Sequence, residues 1–157
     1  MKIISNLVEA HIFKEIKEGI EFLLLKRSAN QVYPGVWQMV SGKIKESASG
    51  GEKAFETAIR EIKEETTLVP LKMWIVPRVN SFYTASSDTL CFVPVFAIQV
   101  NPESKVKLSD EHNEFKWVSS VAAKQMLAWD GQRKAVEIIT EYFLNEKSFL
   151  NFVEITI

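Results

Sequence analysis

The sequence predicts an α/β (α+β) domain in which helices cover a mixed β-sheet, and three observations carry that expectation. Strand-like segments fill the first 26 residues and recur between residues 78 and 118; a strongly periodic helical segment interrupts them near residues 52–66; and an amphipathic helix follows near residues 132–145. Elements that are apolar on one face must bury that face against one another, and a helix-covered sheet does so. The 157 residues suit one domain over 1–157, long enough to bury a sizeable core.

The opening reads as a hairpin, with a strand around residues 5–14, a turn at Lys17-Glu18-Gly19 and a strand from Ile20 to Lys26. Pro34, Gly35, Gly42, Gly50 and Gly51 punctuate a loop-rich stretch from Ser28 to Gly51, inside which Trp37-Gln38-Met39-Val40 reads as a short strand. The first helix is expected from about Glu52 to Thr66, with Ala54, Phe55, Ala58, Ile59 and Ile62 forming its apolar stripe. Pro70 and Pro77 bracket a short apolar run, and strands near 78–84 and 89–100 flank the turn Ala85-Ser86-Ser87-Asp88. A polar loop, 101–113, leads to the strand Phe115-Lys116-Trp117-Val118. Ser119 or Ser120 then caps a helix to about Trp129, where Met126 and Trp129 are expected to pack. Asp130-Gly131 breaks it, and the last helix buries Ala135, Val136, Ile139, Tyr142 and Phe143.

With 19 basic and 20 acidic residues, the charge balance gives no electrostatic case for a nucleic-acid polymer or an anionic membrane. The single cysteine, Cys91, lies in an apolar run and reads as a buried, inert thiol in a reducing compartment. No segment has the length of a signal peptide's apolar core or of a membrane span, so the expected location is cytoplasmic. Oligomeric state is not legible.

The chemistry-bearing segment is Arg60-Glu61-Ile62-Lys63-Glu64-Glu65. Glu61, Glu64 and Glu65 stand at i, i+3 and i+4 and project from one side of the helix, next to its apolar stripe. Like charges at this spacing repel, and acids in the last turns oppose the helix dipole, each by a few tenths of a kcal/mol. Such violations of local consistency concentrate at functional sites, and a hard divalent cation would relieve the repulsion.

The segment Ser41-Gly42-Lys43-Ile44 … Glu52 … Arg60-Glu61-Ile62-Lys63-Glu64-Glu65-Thr66-Thr67-Leu68 resembles the Nudix box, G-x5-E-x7-R-E-U-x-E-E-x-G-U with U aliphatic. From Glu52 onward the spacing is intact. Two departures stand out: nine residues rather than five separate Gly42 from Glu52, an insertion of four around Glu46-Ser47-Ala48-Ser49, and Thr67 takes the place of the last glycine. Thr67, the stretches Val36–Gly42 and Glu111–Trp117, and Gln132-Arg133-Lys134-Ala135 are similar to the dihydroneopterin triphosphate pyrophosphatase branch.

The resemblance implies a Nudix-type mixed sheet sandwiched between helices and a Mg²⁺ site, with Mn²⁺ a possible substitute. Glu61 and Glu65 would hold the metal, with Glu64 as a third ligand or a base acting through water, and the Ser41 or Gly42 carbonyl as a backbone ligand. Glu52 and Arg60 read as an orienting ion pair; the competing role for Glu52, a capping box with Ser49, is the weaker fit. Glu111 is expected to bring a further carboxylate from its loop, with Glu114 as the fallback, and His112 is expected only to hydrogen-bond. Lys26 and Arg27 are candidates for substrate phosphates, and Trp37, Phe82 and Tyr83 for stacking on a base or pterin. The implied activity is hydrolysis of a (deoxy)nucleoside triphosphate or dihydroneopterin triphosphate to monophosphate and pyrophosphate. Alternatives are another small phosphoanhydride such as a dinucleoside polyphosphate or nucleotide sugar, or a ligand-sensing domain of low activity.

Overall fold

The computed structural model describes residues 1–46 and 50–157; the expected Ser49 cap and most of the loop insertion lie outside these residues. The strands are β1 (Lys2–Ile4), β2 (Leu7–Ile16), β3 (Gly19–Arg27), β4 (Trp37–Gln38), β5 (Val40–Lys43), β6 (Pro70–Thr84), β7 (Thr89–Val100), β8 (His112–Val118) and β9 (Glu154–Ile155). The helices are α1 (Ala54–Thr66), α2 (Ser120–Met126) and α3 (Asp130–Asn145). The central path of the sheet runs β4-β3-β2-β7-β6-β9, with β1 beside β7, β5 beside β2 and β8 beside β3. The β2–β7 pairing is parallel, whereas β2–β3, β2–β5, β3–β8 and β6–β7 are antiparallel.

The period-2 alternation of β2 and β3 divides the core into two layers. Val8, Ala10, Ile12, Leu23 and Leu25 face α1, where they meet Ala58 and Ile62. Phe13, Phe22 and Leu24 face the other way, against Ala135, Val136, Ile139 and Phe143 of α3. The expected sandwich of a mixed sheet between helices is therefore what forms. On the α3 side Phe13, Trp74 and Phe143 make an aromatic nucleus, with Phe13 and Phe143 ring centres 4.4 Å apart and edge-on.

Several boundaries differ from the sequence expectation. Helix α1 begins at Ala54, because the Glu56 carboxylate accepts from the Lys53 N–H at 2.9 Å and caps the first turn, while Glu52 turns away. The run between Pro70 and Pro77 is part of one strand extending to Thr84: the β6–β7 register shifts between Ile75 and Val79, so Pro77 falls where no ladder hydrogen bond is required of it. Ser119 caps α2 as expected, its Oγ accepting from the Ala122 N–H. Asp130 and Gly131, expected to break a helix, instead form the first turn of α3. Gly131 is there for proximity, since a Cβ on it would lie 2.7 Å from the Asn80 side chain. Tyr142 is only half-buried, and Cys91 is buried with its thiol pKa raised by desolvation. Among the described residues, no helix is long and apolar enough to cross a membrane.

Candidate active site

The carboxylate face of α1 packs across the end of β5, and Gly42 permits it. A Cβ at position 42 would lie 2.0 Å from Glu61 Cγ and 2.4 Å from its Oε1, so no larger residue fits while Glu61 stays in place. Arg60 ties this corner together. Its Nε and Nη2 donate to the two Glu52 oxygens, each at 2.9 Å; Nη1 donates to Glu61 at 2.6 Å and to Glu64 at 3.1 Å; and Nη2 also reaches the Lys43 carbonyl. Thr57 Oγ1 adds a 2.7 Å bond to Glu52. The Arg60 guanidinium holds the Glu52 pKa at about 2, and Glu52 in turn raises that of Arg60. The expected ion pair thus forms, bidentate and screwed down to the backbone of β5.

Glu65 has the opposite environment. Its side chain is 3 % exposed, its Oε2 has no hydrogen-bond partner, and the nearest cation candidate, His112 Nδ1, stands 3.6 Å away. Burial first, then the negative charges of Glu111 and Glu61, push its pKa to about 9. Glu61 is raised by burial as well, with Arg60 opposing and Glu64 and Glu111 adding to the shift. Burial and the nearby Arg27 charge lower the His112 pKa to about 4, so its buried imidazole is neutral; its Nε2 lies 3.2 Å from Gln38 Nε2. Glu111 is exposed, and the loop carrying it is fixed by Ser28, whose N–H donates to the Glu111 carbonyl and whose Oγ donates to that of Asp110. Glu114, by contrast, is engaged by Lys26 at 3.2 Å and Lys116 at 3.6 Å.

The donor set suits a hard divalent cation: an orphaned buried carboxylate oxygen, a second half-buried carboxylate beside a glycine, and a third in the same field. As the side chains lie, no three His, Cys, Asp or Glu groups among the described residues converge tightly enough to hold a metal, because Glu61 and Glu64 each give an oxygen to Arg60.

Beside this corner opens a cleft of about 810 Å³. Arg27, Gln38 and Ser41, the last adjacent to Gly42, line it together with Phe82, Tyr83 and Trp129. Arg27 is positioned by Gln38 at 3.1 Å, by Gln31 and by the Val32 carbonyl. Tyr83 reaches the cleft with its hydroxyl donating to Asp88. Trp129, expected to pack within a helix, is instead 42 % exposed at the cleft mouth, edge-on to Tyr33 with ring centres 5.2 Å apart. Lys26 and Trp37 do not reach the cleft: Trp37 packs on the α3-side core beneath Lys26 and Lys116, whose Nζ atoms lie 5.7 and 5.1 Å from its ring centre. Glu9, Asn80 and Gln132, buried and lining the cleft, have no site role legible in the sequence; the one signal for Glu9 is a charged residue inside an otherwise apolar strand.

Comparisons with known proteins agree with this geometry. The family model described as NUDIX domain matches residues 9–139. A bis(5'-nucleosyl)-tetraphosphatase (asymmetrical) of Caenorhabditis elegans is 31% identical over 108 residues, covering 68% of this chain and 72% of that protein. An octanoyltransferase of Myxococcus xanthus is 33% identical over 107 residues, which cover 68% of this chain and only 29% of that protein's length. The crystal structure of a Listeria monocytogenes protein assigned as a NUDIX hydrolase superimposes with a TM-score of 0.73 at 28% identity, covering 90% of this chain and 96% of that one. The chain belongs to the Nudix family, whose hydrolases act on phosphoanhydride bonds.

Proposed function

We propose that this protein is a Mg²⁺-dependent pyrophosphohydrolase that converts a (deoxy)nucleoside triphosphate or dihydroneopterin triphosphate into a monophosphate and pyrophosphate. The observation that carries the proposal is Glu65: a carboxylate whose oxygen lacks a partner in the protein and whose neighbours Glu61 and Glu111 are also acidic. Glu61, Glu64, Glu65 and Glu111 would hold Mg²⁺ or Mn²⁺, with the Ser41 or Gly42 carbonyl as a backbone ligand. When bound, the ion supplies neutralisation of phosphate charge and a water of lowered pKa.

The chain's own residues divide the remaining work. Arg60 and Glu52 set the direction of Glu61 and restrain the end of β5. Arg27, held by Gln38, faces the cleft and neutralises the terminal phosphates. Glu64, the most exposed acid of the three on α1, accepts the proton of the attacking water. Water adds to the α-phosphorus, the bond to the bridging oxygen breaks, and pyrophosphate leaves. Phe82, Tyr83 and Trp129, which also line the cleft, offer apolar faces to the ring system of the substrate.

A second substrate, a dinucleoside tetraphosphate, is favoured by the similarity to the C. elegans protein. Hydrolysis in ¹⁸O-labelled water with Mg²⁺ tests both. Label in the monophosphate supports attack at the α-phosphorus of a triphosphate; label in pyrophosphate indicates attack at β. First products of orthophosphate and a diphosphate reject the pyrophosphohydrolase assignment. Rapid turnover of the tetraphosphate, with no turnover of any triphosphate, favours the second reading.

A further inference from the structure

Arg27, Gln38, His112 and Glu65 stand in one row that leads from the cleft wall to the buried carboxylate of α1. Arg27 Nη1 donates to Gln38 Oε1 at 3.1 Å, Gln38 Nε2 lies 3.2 Å from His112 Nε2, and His112 Nδ1 lies 3.6 Å from Glu65 Oε2. Gln38, His112 and Glu65 are all buried. The β3–β8 register shifts between Lys26 and Arg27: Lys26 pairs with Glu114, but Arg27 pairs with His112, and Asn113 is the extra residue. A bulge of this kind re-aims a side chain, here the His112 ring. The turn before it is fastened to the helix, since the Ser109 N–H donates to the Glu65 carbonyl at 3.1 Å and the His112 N–H to the Ser109 carbonyl at 3.4 Å.

The first member of the row dictates where the protons lie. A guanidinium only donates, so Gln38 must turn its oxygen to Arg27 and its nitrogen to His112. That amide nitrogen only donates in its turn, so His112 Nε2 accepts and is bare. The ring then carries its single proton on Nδ1, the nitrogen that faces Glu65. The opposite tautomer would set two N–H groups against each other across the 3.2 Å contact with Gln38. Among the described residues, His112 Nδ1 and Glu65 Oε2 are both buried without a hydrogen-bond partner, and their 3.6 Å separation stops just short of a bond between them. A small rotation of either side chain closes it. Glu65 offers an accepting oxygen to that N–H whether its carboxyl is ionised or protonated.

We propose that Gln38 and His112 are positioning residues: Gln38, oriented by Arg27, holds His112 in its Nδ1–H tautomer, and that N–H orients the Glu65 carboxylate for the divalent ion. This rests on the reading of Glu65 as a metal ligand and adds to it two residues that act through another side chain. A neutral donor suits the task. Lysine or arginine in this place would pair with Glu65 and compete with the cation, whereas a neutral N–H directs the carboxylate and leaves its charge to the metal. Ligating carboxylates are commonly held by such outer hydrogen bonds, and loss of the partner costs about 10- to 100-fold in metal affinity. The row also joins the cleft-facing Arg27 to the carboxylate through two side chains, so that Gln38 serves both ends.

The first test reads the metal-free protein. The chain has two histidines, so ¹⁵N–¹H correlation of the imidazoles, assigned with His112→Asn, shows which nitrogen of His112 carries the proton. Nδ1–H alone is expected, and a proton on Nε2 overturns the proposal. The second test is titration with Mn²⁺ alone, followed by its electron spin resonance. Gln38→Met keeps the length, removes the donor and should weaken Mn²⁺ binding about 10- to 100-fold. Because it also frees Arg27, the control is the same change in a His112→Asn background, where the asparagine amide replaces Nδ1–H and no longer depends on Gln38. There it should cost nothing further. An undiminished loss in that background, or a folded Gln38→Met protein with wild-type affinity, overturns the proposal. Should Gln38→Met fail to fold, His112→Asn should keep the Mn²⁺ affinity that His112→Leu loses; equal affinities would reject the role of the N–H. The two readings fail separately. An Nδ1–H ring in a protein that binds no Mn²⁺ supports the tautomer assignment and rejects Glu65 as a metal ligand, whereas an Nε2–H ring in a protein that binds Mn²⁺ does the reverse.

Discussion

Replacing Gly42 by alanine tests whether the Glu61 carboxylate must sit where it does. The new methyl group would lie 2.0 Å from Glu61 Cγ and 2.2 Å from its Cδ. Ordinary contact is about 1.4 Å longer, so Glu61 has to retreat by more than about 1 Å, a displacement that costs on the order of 100-fold when it falls on a group positioning the reaction. The backbone itself should accept alanine, since Gly42 lies in β5 and does not adopt a positive φ. The expected outcome is a folded protein, with kcat for triphosphate hydrolysis reduced about 100-fold at saturating Mg²⁺. A double-mutant cycle sharpens the test. In a Glu61→Ala background no side chain remains beyond Cβ to collide with, so adding Gly42→Ala should cost nothing further. Circular dichroism melts and steady-state pyrophosphate release measure the two quantities. A folded Gly42→Ala variant with wild-type kcat, or one whose effect is undiminished in the Glu61→Ala background, would refute the reasoning.

Three further outcomes follow from the same geometry. Glu111→Gln should lower kcat far more than Glu114→Gln, because Glu114 is held by Lys26 and Lys116 whereas Glu111 acts on Glu61 and Glu65; equal small effects in steady-state assays would make both surface acids. The folded-state pKa of Glu52, about 2, lies below its ordinary 4.5, so its stabilisation is complete above pH 4.5 and is lost as pH falls towards 2. Glu52→Gln should remove on the order of 1 kcal/mol of that acid-sensitive stability once solvent screening is allowed for, seen as a flatter dependence of melting temperature on pH in that window. Thr67 closes α1 at φ 61°, a left-handed conformation that a β-branched residue adopts at a cost of about 1–2 kcal/mol, so Thr67→Gly should raise stability by about 1 kcal/mol in urea titrations, less the added chain entropy.

The parts of the site that were legible are those written locally. Helical spacing alone places Glu61, Glu64 and Glu65 on one side of α1, and the eight-residue step from Glu52 to Arg60 becomes a direct ion pair. What spacing does not convey is that Glu65 faces inward while Glu64 stays 53 % exposed, since that depends on β8 and the 107–112 segment closing over the helix. The Glu9 cluster was invisible for a related reason. Its partners are 71 and 123 residues away, and a buried carboxylate in a strand looks like a pattern error until those partners are seen. Trp37 and Lys26 do not line the cleft because β4 pairs Trp37 opposite Lys26 and seats it on the α3-side core, a matter of register that local composition does not set. Pro77 and Asp130-Gly131 misled in the same way: a register shift absorbs the proline, and close approach to Asn80 explains the glycine.

The central claim is that the buried carboxylate of α1 holds the catalytic divalent ion. The most direct measurement follows triphosphate hydrolysis by ³¹P NMR, with and without Mg²⁺, in wild-type protein and in Glu65→Gln. The exchange keeps the side chain's size and removes a hard anionic ligand, and in the metal-free protein it also removes a carboxyl that burial has pushed to about 9. The account predicts Mg²⁺-dependent appearance of monophosphate and pyrophosphate in the wild type, and a folded Glu65→Gln protein slower by orders of magnitude. Near-normal turnover in folded Glu65→Gln, or hydrolysis by the wild type that proceeds equally well without a divalent ion, would contradict it.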